Sequence, residues 1–133
     1  HYFEKMFSNA RIYPGSKELI ENLYRNKTPF GIVTNRVQVN RHYLPSWIKK
    51  TDPFVTVDNI HTPKPDPEML LYAAKKLNIS HESMAYVGDS LNDIKAAKAA
   101  NMTAIWLKND SFLINLSSQS DLTVTNLLEL LTI

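Results

Sequence analysis

Met84-Ala85-Tyr86-Val87-Gly88-Asp89-Ser90-Leu91-Asn92-Asp93 is the stretch that decides how this chain folds. Its first four residues are an apolar run of strand length, and Gly88-Asp89-Ser90 follows at once. Residues 92–100 continue as an alanine-rich helix whose small side chains permit close packing on a sheet. Strand, polar turn and helix form the repeating unit of an α/β fold with mostly parallel strands. The unit recurs upstream. Residues 16–26 read as a helix with Leu19, Ile20, Leu23 and Tyr24 on one side, and residues 30–33 as a strand ending at Thr34-Asn35. A second strand spans 54–57. Asp66 and Pro67 then start a helix that carries Leu70, Leu71, Ala74 and Leu77 inward, Asp as a cap and Pro in the first turn. Downstream, Asn101 suits a left-handed helix end. Strands at 103–107 and 122–124 and a helix at 127–131 complete the series.

The 133 residues suit one domain, and 44% hydrophobic with 21% charged residues matches a folded globular chain. Fifteen basic residues are scattered among thirteen acidic ones for a net charge of +2, which argues against a nucleic-acid stripe or a polybasic membrane patch. No apolar run approaches the ~20 residues of a membrane span. The absence of cysteine excludes disulfides, thiolate catalysis and cysteine-bound zinc, and makes the cytoplasm the simplest location. The four histidines show no metal-ligand spacing.

Three polar clusters follow three apolar strands. They are Thr34-Asn35, Lys64 in a proline-rich loop, and Asp89 with Asp93. In a parallel sheet the strand C-termini share one edge, where ligands bind. A hydroxyl, an amide, an ammonium and two carboxylates would converge there. The set suits a phosphate with Mg²⁺, which takes one or two carboxylates plus waters and phosphate oxygens. Each piece has a plainer reading. Thr34-Asn35 also suits a turn, Lys64 a solvated loop, and Asp89 and Asp93 a cap on the following helix. Arg36 and Arg41 could meet an anionic substrate or simply be solvated.

In this order the motifs resemble those of the haloacid dehalogenase superfamily of phosphatases, in a phosphoglycolate-phosphatase-like form. Gly31-Ile32-Val33-Thr34-Asn35 is similar to the second motif. Lys64-Pro65-Asp66-Pro67-Glu68 is similar to the third, and residues 86–93 to the acidic fourth. The resemblance implies a Rossmann-like core and two-step hydrolysis of a small phosphorylated metabolite through an aspartyl-phosphate, with Mg²⁺ as cofactor. Thr34 would hydrogen-bond the phosphoryl group, Asn35 would shape its site, and Lys64 would neutralise nucleophile and phosphate. Asp89 would ligate Mg²⁺ with Asp93 supporting it directly or through water, and Gly88, Ser90 and Asn92 would stand behind these ligands. Receiver-type signalling domains place the acidic pair before Thr and Lys; here Thr34 and Lys64 come first.

One departure is large. The family's Asp-x-Asp motif, which carries the nucleophile and general acid at the end of the central strand, occurs nowhere in the sequence. The resemblance therefore implies a partial core without its first, central strand. Residues 1–10 would be the tail of a cap-domain helix and 11–133 the partial core. The missing segment would lie elsewhere, in cis or in trans, and the chain alone would be inactive. The strands at 30–33 and 84–87 would pair by default or the chain would be unstable. A non-catalytic binding or regulatory module of the same fold is the alternative.

Overall fold

Gly15 turns the chain into its first helix. Its φ of 88° is left-handed, which glycine adopts without strain, and a β-carbon there would press on Leu128. Helix α1 (Ser16–Arg25) then buries Leu19 and Ile20. The computed structural model describes residues 14–34, 45–108 and 115–132. Within them, strand β1 (Ile32–Val33) is followed by a single turn, α2 (Ser46–Lys49), and by strand β2 (Phe54–Val55). Helix α3 (Glu68–Leu77), strand β3 (Ala85–Gly88), helix α4 (Leu91–Ala99) and strands β4 (Thr103–Leu107) and β5 (Leu122–Val124) come next, and a 3₁₀ segment, Leu127–Thr132, closes the series. The strands form two groups, β1–β2 and β3–β4–β5, and every pairing is parallel. This is a Rossmann-like α/β core with part of its sheet.

Strand alternation divides the apolar residues between two layers. Val33, Val55, Ala104 and Trp106 point to one face, where α3 and α4 bring Met69, Leu70, Ala73, Ile94, Ala96 and Ala97. Ile32, Ile105, Leu107 and Val124 point to the other, against Leu19, Ile20, Ile48 and Leu127. Asn78 and Asn101 both sit at φ near +57°, ending α3 and following α4 as left-handed residues.

Several expectations need correction. Strands β1 and β2 are shorter than the apolar runs that encode them. The second stops because Thr56 leaves the ladder to cap a 3₁₀ turn, Val57–Asn59. Its hydroxyl accepts from Asp58 N–H, and Asn59 Oδ1 accepts from Thr56 N–H at 2.9 Å. On α3 the inward residues are Met69, Leu70, Ala73 and Ala74, while Leu71 is exposed. The last helix is 3₁₀ throughout. The expected default pairing of the strands at 30–33 and 84–87 is not formed. Side chains of α1 and α3 line the space between β1 and β3. The proposed cap tail at 1–10 lies outside the described residues.

Candidate active site

The lysine loop is shaped by its own helix. Glu68, first residue of α3, accepts from the N–H groups of His61 and Thr62 at 2.9 and 3.0 Å, bonds that hold its carboxyl below the usual range. Asp66, expected as the cap, lies one residue before it: the N-cap is Pro67, and Asp66 Oδ1 accepts from Glu68 N–H at 2.9 Å. Between these ties, Asp66 N–H donates to Pro63 O at 3.1 Å, and Lys64 turns inward. Only 4% of Lys64 is exposed.

Its ammonium meets the start of α4. Lys64 Nζ donates to Asp93 Oδ1 at 2.7 Å and to the Tyr86 hydroxyl at 2.9 Å. Asp93 Oδ2 accepts from the N–H groups of Asp89 and Ser90, both at 3.1 Å, and from Ser90 Oγ at 3.0 Å. Ser90 Oγ in turn accepts from Asp93 N–H at 3.2 Å, closing a reciprocal capping box. Burial pulls the Asp93 carboxyl upward. The charge and hydrogen bond of Lys64 lead what opposes it, and the group settles at about 2. The same packing explains Gly88: a β-carbon there would collide with the Asp93 side chain.

Tyr86 ties in the other sheet. Its hydroxyl lies 3.4 Å from Asp93 Oδ1 and 3.5 Å from the Val33 carbonyl, one residue before Thr34. Thr34 is fully buried, and its N–H donates to Val55 O at 2.9 Å. Asp89, also buried, follows β3 directly. Thr34, Lys64, Asp89 and Asp93 therefore gather at one edge, the C-terminal rim of β1 and β3. Ser90 is half-buried in this cluster, Gly88 is buried under Asp93, and Asn92 is exposed. Asn35, Arg36 and Arg41 lie outside the described residues.

The rim also shows what sequence reasoning missed. Tyr86 links lysine loop, acidic motif and β1, and its signal was a polar-tipped aromatic in a strand that ends at the polar edge. The capping reading of Asp93 holds, since it closes the box at the start of α4, and it also pins Lys64. Its oxygens are occupied by Lys64, Tyr86, Ser90 and two backbone amides. Those amides, at the helix start, already serve Asp93. The buried carboxylate of Asp89, next to this cluster, is the hard-oxygen donor that Mg²⁺ prefers, and one carboxylate is enough for an ion that keeps waters and phosphate oxygens. The residues present fit Mg²⁺: Asp89 would hold it, while Asp93 is engaged by Lys64, Ser90 and two backbone amides.

The family model for haloacid dehalogenase-like hydrolases matches residues 1–107. A phosphoglycolate phosphatase of Nitrosospira multiformis is 34% identical over 74% of this chain and 45% of its own length. One of Escherichia coli is 31% identical over 80% and 44%. The chain thus spans a little under half the length of these relatives. Among solved structures, a HAD phosphatase from Thermococcus onnurineus superposes with a TM-score of 0.81 at 27% identity, covering 99% of this chain and 63% of that one. With the motifs in order and the polar rim assembled at one sheet edge, the chain belongs to the haloacid dehalogenase-like hydrolases.

Proposed function

We propose that this chain provides the phosphate- and metal-binding half of a Mg²⁺-dependent phosphomonoesterase acting on a small phosphorylated metabolite, as the named phosphoglycolate phosphatases do. The observation that carries this reading is the buried Lys64, held at the sheet edge between Asp93 and Tyr86 and beside Asp89. A lysine is rarely buried so completely unless it is paired, as this one is with Asp93. Here its ammonium is fixed where the negative charge of a phosphoryl group and an attacking carboxylate would accumulate, without reorganisation. Thr34 orients the phosphoryl oxygens from the neighbouring strand. Bound Mg²⁺ supplies charge neutralisation of the phosphoryl oxygens, and Asp89 holds it.

The nucleophile is an aspartate carried by no residue of the described site. Its carboxylate bonds to phosphorus as the ester oxygen leaves and takes up a proton. Water then cleaves the acyl-phosphate, returning the carboxylate and releasing inorganic phosphate. Without that carboxylate, binding and electrostatics leave little rate, so the 133 residues alone are inactive. The test joins the chain to the N-terminal segment of the Nitrosospira multiformis phosphatase and follows phosphate release from 2-phosphoglycolate with and without Mg²⁺. Release that needs both Mg²⁺ and Lys64 is expected from the fusion, and none from the chain alone. A folded fusion without Mg²⁺-dependent release from this or a generic phosphomonoester overturns the proposal.

A further inference from the structure

No step of the hydrolysis uses Tyr86, yet its hydroxyl lies at the centre of the rim. Tyr86 stands on β3, the strand that leads into Asp89, and its ring packs against the apolar layer built by α3 and α4. Its tip leaves that layer. The hydroxyl accepts from Lys64 Nζ at 2.9 Å, while the ammonium lies 5.3 Å from the ring centre, so the contact is with the oxygen end of the ring. The hydroxyl proton faces two acceptors, Asp93 Oδ1 at 3.4 Å and the Val33 carbonyl at 3.5 Å. One phenol thus meets the lysine loop, the acidic motif and the strand that leads into Thr34.

An ammonium on a four-carbon stem is a mobile charge. A bond to Asp93 alone would fix one of its three N–H directions and leave it able to swing about that axis. The bond to Tyr86 fixes a second. With two N–H directions and the Cε bond set, tetrahedral geometry sets the third. Charge matters as much as direction. Asp93 is the anionic partner of Lys64. A second carboxylate in place of Tyr86 would cancel what attraction the ammonium keeps for a phosphoryl group. A phenol is an uncharged acceptor, so it directs the ammonium without neutralising it. On the phosphomonoesterase reading, on which this rests, we propose that Tyr86 is a positioning residue for phosphoryl transfer: its hydroxyl holds the Lys64 ammonium in the orientation that meets the transferring group. A donor set in advance needs no reorganisation as charge builds on the phosphoryl oxygens, so removing the hydroxyl slows turnover and leaves binding nearly as it was.

The test compares the fusion to the Nitrosospira multiformis N-terminal segment with its Tyr86→Phe variant, which keeps the ring and removes only the oxygen. Tyr86→Phe should lower kcat for 2-phosphoglycolate by about tenfold or more, the worth of one hydrogen bond to a charged group, with KM and the half-saturating Mg²⁺ concentration within about twofold. Proton exchange of the Lys64 ammonium, followed by ¹⁵N NMR in both proteins, should quicken by about tenfold in the variant. A kcat within about twofold of the unaltered fusion overturns the proposal alone. So does a rise in KM without loss of kcat, which would make Tyr86 a substrate contact. A loss of kcat with unchanged ammonium exchange also overturns it, since Tyr86 would then act other than through Lys64. So does an unaltered fusion whose Lys64 ammonium shows no slowed exchange. An unaltered, folded fusion without Mg²⁺-dependent release overturns the phosphomonoesterase reading, and this proposal with it. Should Tyr86→Phe not fold, Tyr86→His, whose ring reaches less far, takes its place with the same outcomes.

Discussion

Strands β3 and β4 lie side by side, paired from Ala85↔Thr103 to Gly88↔Trp106, yet they live in different surroundings. Ala104 through Leu107 are all buried. On β3, Ala85 is exposed, Tyr86 and Val87 are half-buried, and only Gly88 is covered. Composition does not explain this, since both strands are mostly apolar. Neighbours do: β4 has a strand on each edge, whereas among the described residues β3 has β4 on one side and an open space toward β1 on the other. What fixes β3 is its end. Gly88 and Asp89 are buried beneath the start of α4, and Tyr86 reaches across to Val33. A polar rim thus binds the two half-sheets where apolar packing between them is incomplete.

The most damaging way to break this contrast is to remove the cation from the rim. Lys64→Met leaves Asp93 buried without its charge partner, and breaking a buried pair from one side costs about 3–5 kcal/mol. Urea denaturation of Lys64→Met should show that loss. The double variant Lys64→Met/Asp93→Leu should recover much of the pair's share, because no lone charge then remains. A Lys64→Met loss below about 1 kcal/mol would mean that the rim does not hold the half-sheets. Next in size is the contrast itself. Ile105→Ala on β4 should cost about 2–5 kcal/mol, and Val87→Ala on β3 under about 1 kcal/mol, because the first empties a packed core and the second a wall already open to water. Equal losses would show that β3 is as well packed as β4.

Much of this was legible in the sequence. The order of strands and helices followed from apolar periodicity, and the C-terminal rim followed from where Thr34, Lys64, Asp89 and Asp93 fall relative to those strands. Local chemistry gave Asn101 as a left-handed residue. What escaped depends on partners distant in sequence. The burial of Lys64 comes from Asp93 and Tyr86, 29 and 22 positions away. Leu71 and Met69 exchange roles because periodicity gives the spacing of a stripe while packing against the sheet decides which arc is buried, here Met69, Leu70, Ala73 and Ala74. That β1 and β3 stay unpaired is a relation between two strand edges, which no local pattern encodes.

Acid sharpens the contrast on a smaller scale. The Asp93 carboxyl is depressed from 3.8 to about 2 in the folded chain. Its contribution is therefore fully present above pH ~4 and lost as pH falls through ~2, an effect of about 2 kcal/mol. In Lys64→Met the sign reverses. Burial without the lysine raises the carboxyl, so stability tied to Asp93 is greatest in acid and falls as pH rises through the new value. Denaturation midpoints of the two proteins between pH 2 and 6, about the span of these shifts, should slope in opposite directions. Parallel slopes would remove Lys64 as the cause.

The smallest effect separates a cap from a site residue. Ser90 and Thr56 both close capping boxes, at α4 and at the 3₁₀ turn Val57–Asn59. Thr56 serves only that turn's own chain, and Thr56→Ala should cost about 0.5–1 kcal/mol. Ser90 Oγ caps Asp93 N–H and also donates to Asp93 Oδ2, the carboxylate that pins Lys64. Ser90→Ala should cost somewhat more, about 1–2 kcal/mol, and should also shift the acid midpoint of Asp93 upward, because one donor to its charged form is gone. Thr56→Ala should leave that midpoint where it is. If both variants lose the same stability and neither moves the midpoint, Ser90 is a helix cap alone, and Lys64 is positioned by Asp93 and Tyr86 without its help.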